Sequence, residues 1–181
     1  MTLSQTAPAI DFKGVLPPEA MDYRFVAPDD LAAIGELHRV VFGPGRYARS
    51  AFRIREMAPP DLARSIAAFA DGKLIGAVLQ SPVSIGGECG AWLGPIAVTE
   101  LGRKVGVGAA LMTRAIARDA ELGDRFVLLV GDHSYYGRFG FGPVPPGTVD
   151  LPGPADPRRL LGLSLTPLPI LPVGRVGPVA A

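Results

Sequence analysis

Residues 93–108 read LGPIAVTELGRKVGVG, and the way this stretch divides decides the fold. Its first part closes an apolar strand over about 91–98. Its last part, Arg103-Lys104-Val105-Gly106-Val107-Gly108, is a glycine-rich turn. A helix then runs over about 107–122, with Leu111, Met112, Ala115, Ile116 and Ala120 on one face and Gly123 placed to stop it. Phe126–Val130 follows and is apolar at every position, which suits a strand covered on both faces, as in a parallel pair. Its parallel neighbour is then the strand at 91–98, reached by a right-handed crossover through the helix.

Upstream, the pattern is that of an antiparallel meander. Residues 65–70 read as a strand, Asp71-Gly72 as a hairpin turn and 74–83 as the return strand. Pro82 marks an irregular or edge position near its end. Gly86-Gly87 then turns the chain into 91–98. Earlier still, a strand is expected at 23–26, followed by Pro28-Asp29-Asp30 capping a helix in which Leu31, Ile34, Leu37 and Val41 form one stripe. Phe42-Gly43-Pro44-Gly45 ends that helix. A second spans about 47–56, with Arg49, Arg53 and Arg55 on it and Arg46 just before it, and Pro59-Pro60 breaks it. Beyond residue 130, a short helix is expected at 134–139 and two short strands near 147–151 and 160–165, in a region rich in proline and glycine. Residues 167–181 show no usable period. The expected organisation is an N-terminal arm (1–21), one α/β domain with a mixed sheet (22–165) and a proline-rich C-terminal extension (166–181).

Composition narrows the function classes. With 48% hydrophobic and 19% charged residues over 181 positions, the chain reads as globular. A formal net charge of +1 gives no support to a nucleic-acid or membrane partner. Cys89 is the one cysteine, so no internal disulfide forms, and the first ten residues have neither a basic start nor an apolar block. A soluble cytoplasmic protein is expected. No residues show metal-ligand spacing, so no metal is expected.

The chemistry centres on the turn. A helix start offers unpaired N–H groups and the positive end of the helix dipole, and glycines let backbone approach a phosphate closely. Arg103 and Lys104 add positive charge there. Taken alone, such a turn more often serves as a plain helix cap. It is not a Walker A loop, because no Gly-Lys-Ser/Thr ends it. Nor is it a dinucleotide fingerprint, because a meander precedes it rather than the first strand of a βαβ unit.

Arg103-x-x-Gly106-x-Gly108 resembles the acetyl-CoA signature of the GNAT acetyltransferase family. The order of elements also matches: two helices, a meander, the turn, a helix and a parallel strand. Further on, Tyr136-Gly137-Arg138-Phe139-Gly140-Phe141 resembles the family's Tyr-x-x-x-Gly-Phe segment. The stretch 93–141 is similar to the YhbS-like branch of predicted acetyltransferases. The resemblance implies the GNAT fold, with the strands at 91–98 and 126–130 splayed around acetyl-CoA. It implies that Arg103, Lys104, Val105, Gly106, Val107, Gly108 and Ala109 hold the pyrophosphate, and that Ile96, Ala97 and Val98 pair with the pantetheine arm.

The implied reaction is direct acetyl transfer to an amine of a small molecule or a protein, with a homodimer as one allowed assembly. The thioester oxygen would be met by the Val98 N–H and the leaving thiolate protonated by Tyr136, which also borders the coenzyme. Tyr135 is the alternative donor. An alkyl ammonium has a pKa of about 10.4 in water, so a base or a desolvated site must help to neutralise it. Relatives carry a glutamate on the fourth strand for this; here that position is Trp92. Glu88, Asp132 and His133 are the candidate bases. The arginines at 46, 49, 53 and 55 would favour an acidic or phosphate-bearing acceptor if they line the cleft; a solvated helix face is the competing reading. His38 reads as a helix-surface residue and Cys89 as a small turn or core residue. A sensor that binds acetyl-CoA with little catalysis, and a nucleotide-binding α/β protein, are the competing functions.

Overall fold

The computed structural model describes residues 21–43, 50–153, 155–167 and 171–179. Arg46 and Arg49, the N-terminal arm before Met21 and the side chains of residues 50–52 lie outside this set. The chain forms β1 (Asp22–Phe25), α1 (Leu31–Phe42), α2 (Ser50–Met57), β2 (Ile66–Ala70), β3 (Lys73–Ile85) and β4 (Glu88–Val98). It continues with α3 (Glu100–Lys104), α4 (Val107–Glu121), β5 (Phe126–Val130), α5 (His133–Tyr136), β6 (Gly142–Pro143), β7 (Val149–Asp150), β8 (Leu160–Ser164) and β9 (Gly174–Pro178). The strands make one mixed sheet in the order β1-β2-β3-β4-β5-β8-β6, with β4 and β5 parallel.

The two hairpins form where turn chemistry demands them. Asp71 and Gly72 have φ of 48° and 71°, and Gly86 and Gly87 have 59° and 86°. A two-residue turn with both residues left-handed carries the twist that joins antiparallel strands. Pro82 falls where its side of β3 has no strand to pair with. The β2 ladder ends at Val78, and β9 begins its own at Val83. A missing N–H costs nothing at such a gap. β9 lies in the stretch with no periodic signal; its pairing partner, β3, is some ninety residues upstream, and its Val176 is buried.

The sheet is covered on both faces, the layered arrangement that lets strands such as β5 be apolar throughout. On one face α4 sets Leu111, Met112 and Ala115 against Ile75, Val78, Leu93, Val127 and Leu129. On the other, Ile34 of α1 meets Ala67, Ala77 and Leu79, while Ile54 and Ala58, at and just after α2, meet Trp92, Phe126, Leu128 and Val176. Among the described residues no helix is long and apolar enough to cross a membrane.

Three expectations about helix faces need correction. Leu31 and Val41 are 45% and 39% exposed, so the buried face of α1 is Ile34, Leu37 and His38. His38 is buried, four residues on from Ile34, with its ring 5.7 Å from that of Phe42. On α4, Ala120 is exposed and Asp119 is fully buried instead. The spacing 112, 115, 119 continues the helical stripe as well as 112, 116, 120 does. Asp119 joins a buried polar cluster that ties the end of α4 to the segment before β2. Arg64 Nη1 lies 2.7 Å from Asp124 and 3.5 Å from Asp119, and Gln80 Nε2 donates to the Arg64 carbonyl at 2.9 Å.

Candidate active site

The cleft arises because β4 and β5 part company. Their pairing consists of Ala91 with Val127 and Trp92 with Leu128; β4 then runs on to Val98 without β5 beside it. The departure coincides with a bulge. Val78 faces Ile96 and Gln80 faces Leu93, so Gly94 and Pro95 together oppose Leu79. A bulge bends its strand and ends pairing. The Gly94-Pro95 pair inside the strand is the sequence signal of this bulge.

Register shows which backbone groups face the cleft. Thr99 N–H donates to the Ile75 carbonyl at 2.9 Å, so residues 75 and 99 form a hydrogen-bonded pair. Such pairs alternate along an antiparallel ladder. Ala97 opposite Ala77 is therefore hydrogen-bonded to β3, while Ile96 and Val98 point their N–H and C=O groups the other way, toward the gap. Ile96 and Val98 stay in the candidate binding set on these grounds. Ala97 contributes no backbone hydrogen bond to the cleft.

The glycine-rich segment is more ordered than a free turn. Arg103 and Lys104 close the short helix α3, whose start is capped by Thr99 Oγ1 accepting from Gly102 N–H at 3.1 Å. Gly106 caps α4 in the left-handed region, with φ 81°. Several N–H groups of the expected cradle are already engaged: Val105 to Leu101, Gly106 to Arg103 and Ala109 to Gly106. The donors with no carbonyl one turn back are those of Val107 and Gly108, the first two residues of α4. They sit at the positive end of a 15-residue helix dipole. Lys104 is held by Glu100 at 2.8 Å, whereas Arg103 is exposed and makes no ion pair among the described residues.

Across the gap, α5 follows β5 and carries both tyrosines. Tyr136 is half-buried. Its ring lies against Gly131, where a Cβ would come within 2.1 Å of Cε2, and meets Phe141 edge-on at 6.2 Å. Burial, then the neighbouring Tyr135 and Asp132, raise the Tyr136 pKa, and Arg159 opposes them. The phenol therefore keeps its proton firmly at neutral pH. Tyr135 is more exposed, at 38%, and packs edge-on to Tyr136 at 4.9 Å.

The three candidate bases fare differently. Glu88 begins β4, ten residues and about 30 Å from Val98 at strand rise, and pairs with Arg125. It is at the wrong end of the sheet for chemistry in the gap. Asp132 lies at the right end, but its carboxylate is engaged by Arg159 at 3.3 Å. His133 opens α5, exposed, with its ring over Gly137. Trp92 is 1% exposed beneath α2, and its indole N–H has no partner among the described residues. Cys89 is exposed at the same far end of β4 as Glu88, which corrects its reading as a turn or core residue. Of the described arginines on α2, Arg53 pairs with Glu56 at 2.9 Å, while burial lowers the pKa of Arg55.

Comparison with known proteins accords with this geometry. The acetyltransferase (GNAT) domain family matches residues 22–144. A stretch of 73 residues is 38% identical to the uncharacterized N-acetyltransferase YhbS of Escherichia coli strain K12; it makes up 39% of this chain and 44% of that protein, so the aligned part spans less than half of the relative. Among solved structures, the E. coli GNAT family N-acetyltransferase YhbS in complex with CoA superposes with a TM-score of 0.71 at 26% identity, over 96% of this chain and 92% of that one. A GNAT family acetyltransferase from Brucella melitensis in complex with acetyl-CoA gives 0.63 at 28% identity, over 87% and 94%.

Proposed function

The chain belongs to the acetyltransferase (GNAT) family, and on that premise we propose that it transfers the acetyl group of acetyl-CoA to a primary amine within a ternary complex. One observation carries the reading: the gap between β4 and β5 is edged by the free backbone groups of Ile96 and Val98 and ends at the open N–H groups of Val107 and Gly108. An amide-bearing arm ending in a diphosphate has the donors and acceptors to fill both.

In this reading the arm pairs with Ile96 and Val98, and the diphosphate rests on the α4 terminus beside Arg103. The amine nitrogen bonds to the thioester carbon as the carbon–sulfur bond breaks. The Val98 N–H meets the negative charge that develops on the carbonyl oxygen. Tyr136 gives its proton to the departing thiolate, and the amine gives its own to His133 or to water. Glu88 has no part in this scheme, and Asp132 serves with Arg159 to hold α5. The domain proposed for this activity is 22–165, to which β9 adds a strand that pairs with both β3 and β7.

The test is thiol release from acetyl-CoA with a panel of primary amines, small molecules and peptides together. Turnover is expected on at least one. Tyr136→Phe is expected to lower kcat about a hundredfold while coenzyme affinity stays within a factor of two or so, because the lost hydroxyl acts only on the leaving group. A rate unchanged in that variant removes Tyr136 from the mechanism. Trp92 in place of a fourth-strand glutamate favours the second reading, a coenzyme-binding sensor; binding without turnover on any amine would establish it.

A further inference from the structure

The two tyrosines of α5 are adjacent in sequence but do not share a place. Tyr136 lies back against Gly131 and the core, whereas Tyr135 reaches forward across the gap. A Cβ built on Gly108 would stand 3.3 Å from the Tyr135 hydroxyl and 3.5 Å from Val98 Cγ2. The hydroxyl, carried from the β5 side, thus arrives at the first turn of α4 on the β4 side, next to the open N–H groups of Val107 and Gly108. A Cβ at Gly108 would make that approach tight by a few tenths of an ångström.

The ring is fixed in that direction. Tyr136 packs against it edge-on at 4.9 Å with an interplanar angle of 82°. The guanidinium of Arg138 stacks over it at 4.1 Å and over Phe139 at 4.8 Å. Arg138 is exposed and has no carboxylate partner among the described residues, so it brings uncompensated positive charge to the same mouth. A phenol held at the positive end of a helix, beside two free backbone donors and a cation, is placed to donate to an anion seated there.

We propose that Tyr135 is a coenzyme-binding residue: its hydroxyl supplies a third donor to the diphosphate, from across the cleft, so that the bound diphosphate ties the α5 side of the site to the α4 side. This rests on the acetyl-CoA reading above and divides the labour between neighbours, with Tyr135 for binding and Tyr136 for proton transfer.

Two probes separate that role from a general packing effect. Coenzyme A carries the diphosphate; S-acetylpantetheine has the same reactive end and none of the phosphate. In Tyr135→Phe, which keeps the ring and its stacking, coenzyme A should bind about tenfold more weakly, the typical effect of one hydrogen bond to a charged group. The kcat at saturating acetyl-CoA and the kcat/KM for S-acetylpantetheine should be unchanged. Unaltered coenzyme A affinity, or an equal loss with both probes, would overturn the assignment. Failure of the unmodified protein to bind coenzyme A would overturn the acetyl-CoA reading itself, and is seen before any variant is made.

Discussion

Gly106→Asp should weaken coenzyme A binding at least a thousandfold while leaving the protein folded. The residue is the N-cap of α4 and has φ 81° and ψ 17°. An L-residue in the left-handed region costs about 1–2 kcal/mol, and aspartate is among those that tolerate it best. Aspartate is also a favoured N-cap, since its carboxylate accepts from the open N–H groups of the first turn. A carboxylate there competes with an incoming anion for the Gly108 N–H, the N2 donor, and leaves the helix itself intact. At the same time a negative charge stands where the diphosphate should lie. Two like charges about 5 Å apart at an effective dielectric near 20 repel by about 3 kcal/mol, or about two decades of affinity, and the lost donor bonds supply the remainder. Gly106→Asn separates these terms, because it competes for the same donor without the charge and should lose less. Calorimetric titration with coenzyme A, beside a thermal melt for each variant, gives the answer. Normal affinity in the Asp variant would place the anion away from α4.

That prediction rests on a turn which could be read from the chain, although its details could not. Arg103, Gly106 and Gly108 mark the turn by type and spacing, and the alternation before it marks the meander, because both signals are local. Asp71-Gly72 and Gly86-Gly87 likewise fix two hairpins by backbone preference alone. What the sequence hid depends on neighbours distant along the chain. The donor set narrows from seven residues to Val107 and Gly108 because α3 and the Gly106 cap of α4 engage the other N–H groups. Ala97 left the cleft because register with Ala77 turns its backbone toward β3. Glu88 and Asp132 look alike as acidic residues beside strands, but β4 and β5 run parallel, so one lies at the start of its strand and the other past the end. β9 was invisible because five residues containing two glycines and a proline carry no period; β3 recruits them through backbone pairing. His38 reads as surface because it is polar, and Ala120 takes the place of Asp119 on the expected face because it is apolar, although His38 and Asp119 each sit on their helix's buried stripe.

Asp119 gives the second large effect: stability should fall as pH rises from about 5 to 8, and Asp119→Asn should remove most of that fall. Asp119 is fully buried, and neither carboxyl oxygen accepts a well-formed hydrogen bond among the described residues. The cluster around it holds one deeply buried guanidinium, Arg64, which is closer to Asp124 than to Asp119. Asp61 also approaches Arg64, at 3.4 Å, and Arg118 immediately precedes Asp119 on α4. With the Arg64 charge satisfied by Asp124, a second buried carboxylate has no counter-charge of its own. Burial first, and the repulsion of Asp124 second, push the Asp119 pKa up to about 8; Arg64, Gln80 and Arg118 pull the other way. The native protein thus holds a proton on Asp119 that the unfolded chain releases near pH 4. Stability from this group is complete below the unfolded pKa and is lost as pH climbs toward the folded one, at up to about 1.4 kcal/mol per pH unit. Between pH 5 and 8 that amounts to as much as about 4 kcal/mol, and above about pH 8 the slope vanishes because both states are ionised. Asparagine keeps the shape of the protonated acid and cannot ionise. Urea unfolding at pH 5, 6, 7 and 8 should show the two proteins similar at pH 5 and the Asn variant increasingly the more stable above it. Parallel curves would mean that Asp119 carries its charge in the folded state, with Arg64 shared between the two carboxylates.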